Sequence, residues 1–134
     1  MAQYIGQQTI KKMIAADKNI HKSRVLVMGA TFKENVSDIR NSKVADVIYE
    51  LQSFGTSVDV VDPVADSAEL KHEYGFGLSE ISGKYDAIIL AVNHKEYLNL
   101  QEDYFINISN QNGIFVDVKG VYRNKIKQLT YWSL

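Results

Sequence analysis

The segment that most restricts the fold is Tyr85–Asn93 (YDAIILAVN), the most apolar run in the chain. Near-continuous hydrophobicity over about nine residues marks a strand covered on both faces, the condition of a parallel sheet. Three further runs fit the same sheet: Arg24–Ala30 (RVLVMGA), Ser57–Pro63 (SVDVVDP) and Gly113–Val118 (GIFVDV), with Gln128–Leu134 as a short last strand. Pro63, the only proline, stops the second run because it has no N–H to give a ladder. Helical spacing fills the intervals. Val44, Val47, Ile48 and Leu51 recur along Ser42–Phe54, with Ser42 placed as an N-cap and Gly55 as the left-handed terminator. Asp66–Tyr74 reads as a short polar helix closed by Gly75, and Glu96–Ile108 as a helical or irregular crossover. Residues 2–16 predict a leading helix with Ile10, Met13 and Ile14 on one face, joined to the first strand by the polar stretch Asp17–Ser23. The alternation predicts an α/β fold: a three-layer, doubly wound, mostly parallel sheet with right-handed crossovers and a leading N-terminal helix.

The 134 residues suffice for one domain with a single core. A formal net charge of -1 offers no global attraction for nucleic acid or an anionic membrane. No apolar run approaches the ~20 residues that span a bilayer, and the first residues lack the apolar core of a signal peptide. Cysteine is absent, which excludes disulfides, thiolate metal sites and a cysteine nucleophile within these residues and makes a cytoplasmic setting the simple expectation. His21, His72 and His94 have no ligand spacing, so no metal site is expected.

Ligands of doubly wound sheets sit beyond the carboxyl ends of the strands. There the chain places Thr31–Ser42 (TFKENVSDIRNS), about twice the usual strand-to-helix loop of roughly 2–6 residues. Thr31 and Lys33 follow the first strand, Asp62 ends the second, Asn93 and His94 end the third, and Lys119 follows the fourth. Lys33, Lys119 and Arg40 converging on one edge suit an anionic, phosphate-bearing ligand. The competing reading, solvated charges at loop tips, stands level with it. Glu34 and Asp38 make no convincing catalytic pair, and Asp38, two residues before Arg40, is expected to order the loop. Phe32 lies in the loop itself, although core packing is the commoner fate of phenylalanine. Tyr122, Tyr131 and Trp132 are read as packing residues. The dinucleotide fingerprint needs three glycines, and only Gly29 follows the first strand. Asp62 is then read as a turn residue before Pro63 rather than a ribose ligand. The expectation is a Rossmann-like sheet that does not hold NAD in the usual way.

Taken together, VLVMGATFKENVSDIRNSKVADVIYELQSFGTSVDVVDPVAD, YDAIILAVNH and FVDVKGVY closely resemble the C-terminal UDP-binding domain of the UDP-glucose/GDP-mannose dehydrogenase family. The resemblance covers nearly the whole chain and is nearest the bacterial branch that oxidises UDP-N-acetylhexosamines or related UDP-sugars for surface polysaccharides. It implies an NAD-dependent, four-electron oxidation of a sugar C6 alcohol to a carboxylate. In that family a catalytic cysteine sits in a central region and NAD in an N-terminal domain. Phe32 and Lys33 would contact the UDP moiety, Lys119 would stand where some members place a UDP-contacting arginine, and Arg40 would reach the NAD side of the cleft. No catalytic or metal-binding residue is implied within the chain. Residues 1–22 would be a helix and connection from the central region, and residues 23–134 the UDP-sugar-binding domain. The implied partners are a UDP-sugar, the remainder of the dehydrogenase and further copies in a homo-oligomer, with no nucleic acid and no membrane. Two expectations follow: the leading helix packs poorly without the central region, and the chain catalyses nothing by itself. The alternative is a non-enzymatic Rossmann-like nucleotide-binding or assembly module.

Overall fold

A single sheet of five strands, every neighbouring pair parallel, organises the computed structural model, which describes residues 1–134. The strands are β1 (Arg24–Met28), β2 (Ser57–Val61), β3 (Tyr85–Leu90), β4 (Ser109–Asp117) and β5 (Thr130–Ser133), in the order β2-β1-β3-β4-β5. The chain leaves β1 for one side of the sheet and returns to β3 on the other. The direction of winding therefore reverses between β1 and β3, which opens a crevice at their carboxyl ends.

Alternation along the strands sorts the core into two halves. Val25, Val27, Ala87, Ile89, Ile114 and Val116 face α1 (Ala2–Ala15) and α2 (Val44–Ser53), packing with Ile5, Ile10, Met13, Val44, Val47, Ile48 and Leu51. Leu26, Met28, Ile88, Leu90 and Phe115 face the opposite way, against Phe105 of α4 (Glu102–Asn107), Tyr97, Tyr122 and Ile126. The layers expected from the alternation are these. The segment after α3 (Ser67–Tyr74) covers the outer edge of β2, where the Ser79 N–H donates to the Val60 carbonyl at 2.8 Å. That contact occupies a ladder position that an open edge would offer to another chain.

Two local expectations are corrected. Ser42 does not cap α2, which begins at Val44 with no side-chain cap. The Ser42 hydroxyl is buried and donates to the Ala30 carbonyl at 3.0 Å, tying the end of the long loop back to its beginning. Nor does the leading helix pack poorly. Ile5, Thr9, Ile10 and Met13 are buried, whereas Ile14 is 57% exposed, so the packed face is rotated from the one the apolar residues suggested. Gly6 explains the close docking: a Cβ there would lie 2.9 Å from the Cβ of Glu50 on α2. Gly55 and Gly75 end their helices in the left-handed region, as expected.

Candidate functional site

Three strand ends are laced together before any surface group comes into play. Gly29, directly after β1, has φ +97, and a Cβ on it would meet Val92 Cβ at 2.6 Å. Only glycine lets the β1 and β3 ends approach so closely. Asp62, directly after β2, has a fully buried carboxylate. Its Oδ1 accepts the N–H groups of Val64 and Ala65, both at 2.8 Å, which is the turn expected at Asp62-Pro63. Its Oδ2 accepts from Ala30 N at 2.7 Å and from His94 Nε2 at 2.9 Å, linking β2 to the loops after β1 and β3. His94 Nδ1 accepts the Asn35 N–H at 2.9 Å, and Asn35 Oδ1 accepts the Lys95 N–H at 2.8 Å. His94 lies at the sheet edge where the sequence puts it, and it lacks metal-ligand spacing. No three metal-binding side chains converge in the structure. His94 instead serves as a hydrogen-bond hub, and the available signal was its place beyond the most apolar strand.

The long loop is ordered from within as well. Asp38 accepts the Arg40 N–H at 2.9 Å, its Nε at 3.1 Å and its Nη2 at 3.1 Å. The Arg40 hydrogen bonds hold the Asp38 carboxyl below the usual carboxylate range, and Asp38 raises the guanidinium in return. The Phe32 N–H donates to the Asp38 carbonyl at 2.7 Å. Asn35 and Asn41 take positive φ values of 63 and 58, which asparagine tolerates better than most residues. With Thr31 anchored in the interior, Phe32 is 54% exposed, contrary to the commoner fate of phenylalanine.

Beside this loop lies a cavity of about 840 Å³. Its wall comes from Thr31–Glu34, the beginning of α2, Ala91 and Val92 after β3, Val118 and Lys119 after β4, the first turn of α1, and Leu134. Phe32, Lys33 and Lys119 thus share one cavity, whereas Arg40 does not line it and remains exposed. Lys43 adds a third cation that the sequence reading missed, set against Glu34 and Asp46 on the same wall. The signal for Lys43 was its position directly before α2, where backbone N–H groups already favour an anion. A second buried carboxylate fixes the turn carrying Lys119. Asp117 accepts from Val121 N at 3.1 Å, Tyr122 N at 2.7 Å and the Tyr131 hydroxyl at 2.6 Å. Burial, then the hydrogen bond to Asp117 and its charge, push the Tyr131 hydroxyl up to about 12. Tyr122 and Tyr131 pack on Phe115, and Trp132 packs edge-on against Tyr4, in keeping with their reading as packing residues.

The geometry does not fit NAD held within this domain. In a dinucleotide-binding sheet the acid near the end of β2 meets a ribose hydroxyl. Asp62 is enclosed and saturated by internal donors, and Gly29 serves a strand-to-strand contact rather than a pyrophosphate. No helix is long and apolar enough to cross a membrane.

Comparisons with known proteins agree on one kinship. Residues 26–124 match the family described as the UDP-glucose/GDP-mannose dehydrogenase family, UDP binding domain. The chain is 39% identical over 123 residues to the UDP-N-acetyl-D-glucosamine 6-dehydrogenase of Salmonella typhi, an alignment covering 90% of this chain and 29% of that protein. It is 38% identical over 123 residues to Protein CapL of Staphylococcus aureus, again covering 90% of this chain and 29% of the relative. The chain therefore spans about 29% of the length of these curated relatives. Among solved structures, the NDP-N-acetyl-D-galactosaminuronic acid dehydrogenase of Methanosarcina mazei superposes with a TM-score of 0.86 at 21% identity. That superposition covers 98% of this chain and 28% of the other, and it shows the shared fold.

Proposed function

This chain belongs to the UDP-glucose/GDP-mannose dehydrogenase family, by its UDP binding domain, and we propose that it holds the UDP-sugar for an NAD-dependent nucleotide-sugar 6-dehydrogenase. The reaction is the oxidation of the sugar C6 alcohol to a carboxylate, for surface polysaccharide precursors, in a cytoplasmic homo-oligomeric enzyme. The chain's share is binding and orientation. These residues include no cysteine and no dinucleotide fingerprint, so the catalytic thiol and the NAD fold belong to other parts of the enzyme. Residues 1–22 form the helix and connection from the central region, and residues 23–134 the UDP-sugar-binding domain.

The observation that carries this reading is the gathering of Phe32, Lys33 and Lys119 on one cavity wall within the family-matched segment. Lys33 meets the diphosphate as a point charge, Lys119 supplies a second, and Phe32 offers an exposed aromatic face to the nucleoside. Lysine at 119 keeps charge without the two-pronged geometry of an arginine. Arg40, outside the cavity and bound to Asp38, is assigned to the side of the cleft where NAD is held by the rest of the enzyme. One wall of an interdomain site retains little preorganisation, so the isolated chain should bind UDP no more tightly than about millimolar, roughly 4 kcal/mol. Titrating UDP into the isotope-labelled chain should shift amides at residues 31–35 and 118–120. Shifts confined to another edge of the sheet, or none at all, would overturn the assignment.

A further inference from the structure

The His94 side chain has no solvent exposure, yet it makes two contacts that bracket Lys33. The donors and acceptors around it close without ambiguity. Nδ1 accepts the Asn35 N–H, so the ring proton sits on Nε2. That Nε2–H faces Asp62 Oδ2 at 2.9 Å and Thr31 Oγ1 at 3.2 Å. The Thr31 hydroxyl hydrogen is then free to donate to the Lys33 carbonyl, 2.9 Å away. The buried pair is a hydrogen bond from the ring Nε2–H to the Asp62 carboxylate that joins the ends of β2 and β3, while Nδ1 ties the loop at residue 35 and the Thr31 hydroxyl ties it at residue 33. The Tyr97 ring, 6.0 Å from His94 between centroids, closes the imidazole in.

We propose that His94 is a positioning residue: it touches no ligand, and its Nδ1 holds the backbone of residues 33–35 in the arrangement that presents Lys33 to a nucleoside diphosphate. The proposal rests on the UDP-binding reading for its ligand, but its structural half can be read without any ligand. The two ring nitrogens do different work, and two variants separate them. His94→Asn keeps an acceptor near Nδ1 and loses the donor to Asp62. His94→Gln keeps a polar atom near Nε2 and leaves the Asn35 N–H without its partner. A merely structural histidine would suffer from both, whereas a positioning role divides them.

Hydrogen exchange of the Asn35 amide and UDP titration are measured on wild type and both variants. In His94→Gln, Asn35 exchange should quicken and UDP affinity fall, each by about tenfold, the loss of one net hydrogen bond. In His94→Asn both should stay within about twofold of wild type, because the acceptor that fixes the loop is retained. Equal effects in the two variants, the reverse order, or no effect in either would overturn the proposal. Should a variant fail to fold, the imidazole nitrogen shifts of the wild-type chain decide: an Nε2–H ring supports the proposal, and an Nδ1–H ring defeats it. A wild-type chain that shows no UDP-induced shift brings down the UDP reading alone, and the exchange contrast still judges His94.

Discussion

At the scale of single residues, the cavity separates cations that share a charge but not a position. Lys33 and Lys119 line it, and Arg40 is exposed beside Asp38. With Lys33 meeting the diphosphate as proposed, its replacement by alanine should remove a charge-assisted phosphate contact, a class worth about 1.5–3 kcal/mol. UDP binding by calorimetry or NMR should therefore weaken at least about tenfold, which takes a millimolar interaction close to the limit of detection. Arg40→Ala should change UDP binding by less than about twofold, since an exposed charge outside the cavity contributes little to it. A loss at Arg40 equal to that at Lys33 would place the diphosphate elsewhere on the loop. Lys43 entered this set only from the structure. Its spacing in sequence links it to α2, and the neighbourhood of Phe32 and Lys119 appears once the β1 and β4 loops fold beside that helix.

At the scale of elements, α1 and the approach to β5 each carry a testable dependence. Met13 is fully buried among the residues that α1 shares with α2 and the sheet. Met13→Ala should lower unfolding stability by about 2–5 kcal/mol in denaturant titration, as expected for a large-to-small change in a packed core. Ile14→Ala, on the exposed face, should cost less than about 0.5 kcal/mol. The Glu102 carboxylate of α4 accepts the N–H groups of Lys127, Gln128 and Leu129 at 2.7 to 3.1 Å, fixing the segment that enters β5. Burial raises its pKa, but the three backbone donors outweigh burial and hold it below the ordinary value. A depressed carboxyl contributes stability that is fully present above its unfolded pKa of about 4.3 and is lost as pH falls through the lower folded value. Protection of the amides at residues 127–129, measured against their intrinsic exchange rates at each pH, should therefore fall selectively as the pH drops below the ordinary glutamate range. In Glu102→Gln the same amides should exchange quickly at neutral pH, with that acid step gone.

At the scale of the whole molecule, the division of labour predicts that the purified chain, given NAD and UDP-sugars, forms no NADH; turnover would refute the proposed function. Much of the architecture was legible beforehand. A doubly buried strand can be recognised from composition alone, so Tyr85–Leu90 and its parallel neighbours followed from their apolar runs, and Gly55 and Gly75 marked helix ends because few residues tolerate their φ values. The Thr31–Ser42 loop stands out as a candidate ligand loop because its length and charge are local properties, and its residues Thr31–Glu34 and Asn41 line the cavity. What only the tertiary structure decided involves residues distant in the chain. Hydropathy assigned α1 a face containing Ile14, whereas Gly6 and the shape of α2 chose the face of Ile5, Thr9 and Met13. In sequence Asp62 reads as a turn residue and His94 as a polar group beyond the third strand without metal-ligand spacing. Their joint role exists because the reversal of winding brings the ends of β1, β2 and β3 within hydrogen-bonding distance. Spacing along a chain encodes which residues share a strand or a helix face, but a hydrogen bond between loops is set by strand order and register, which emerge only when the sheet is assembled.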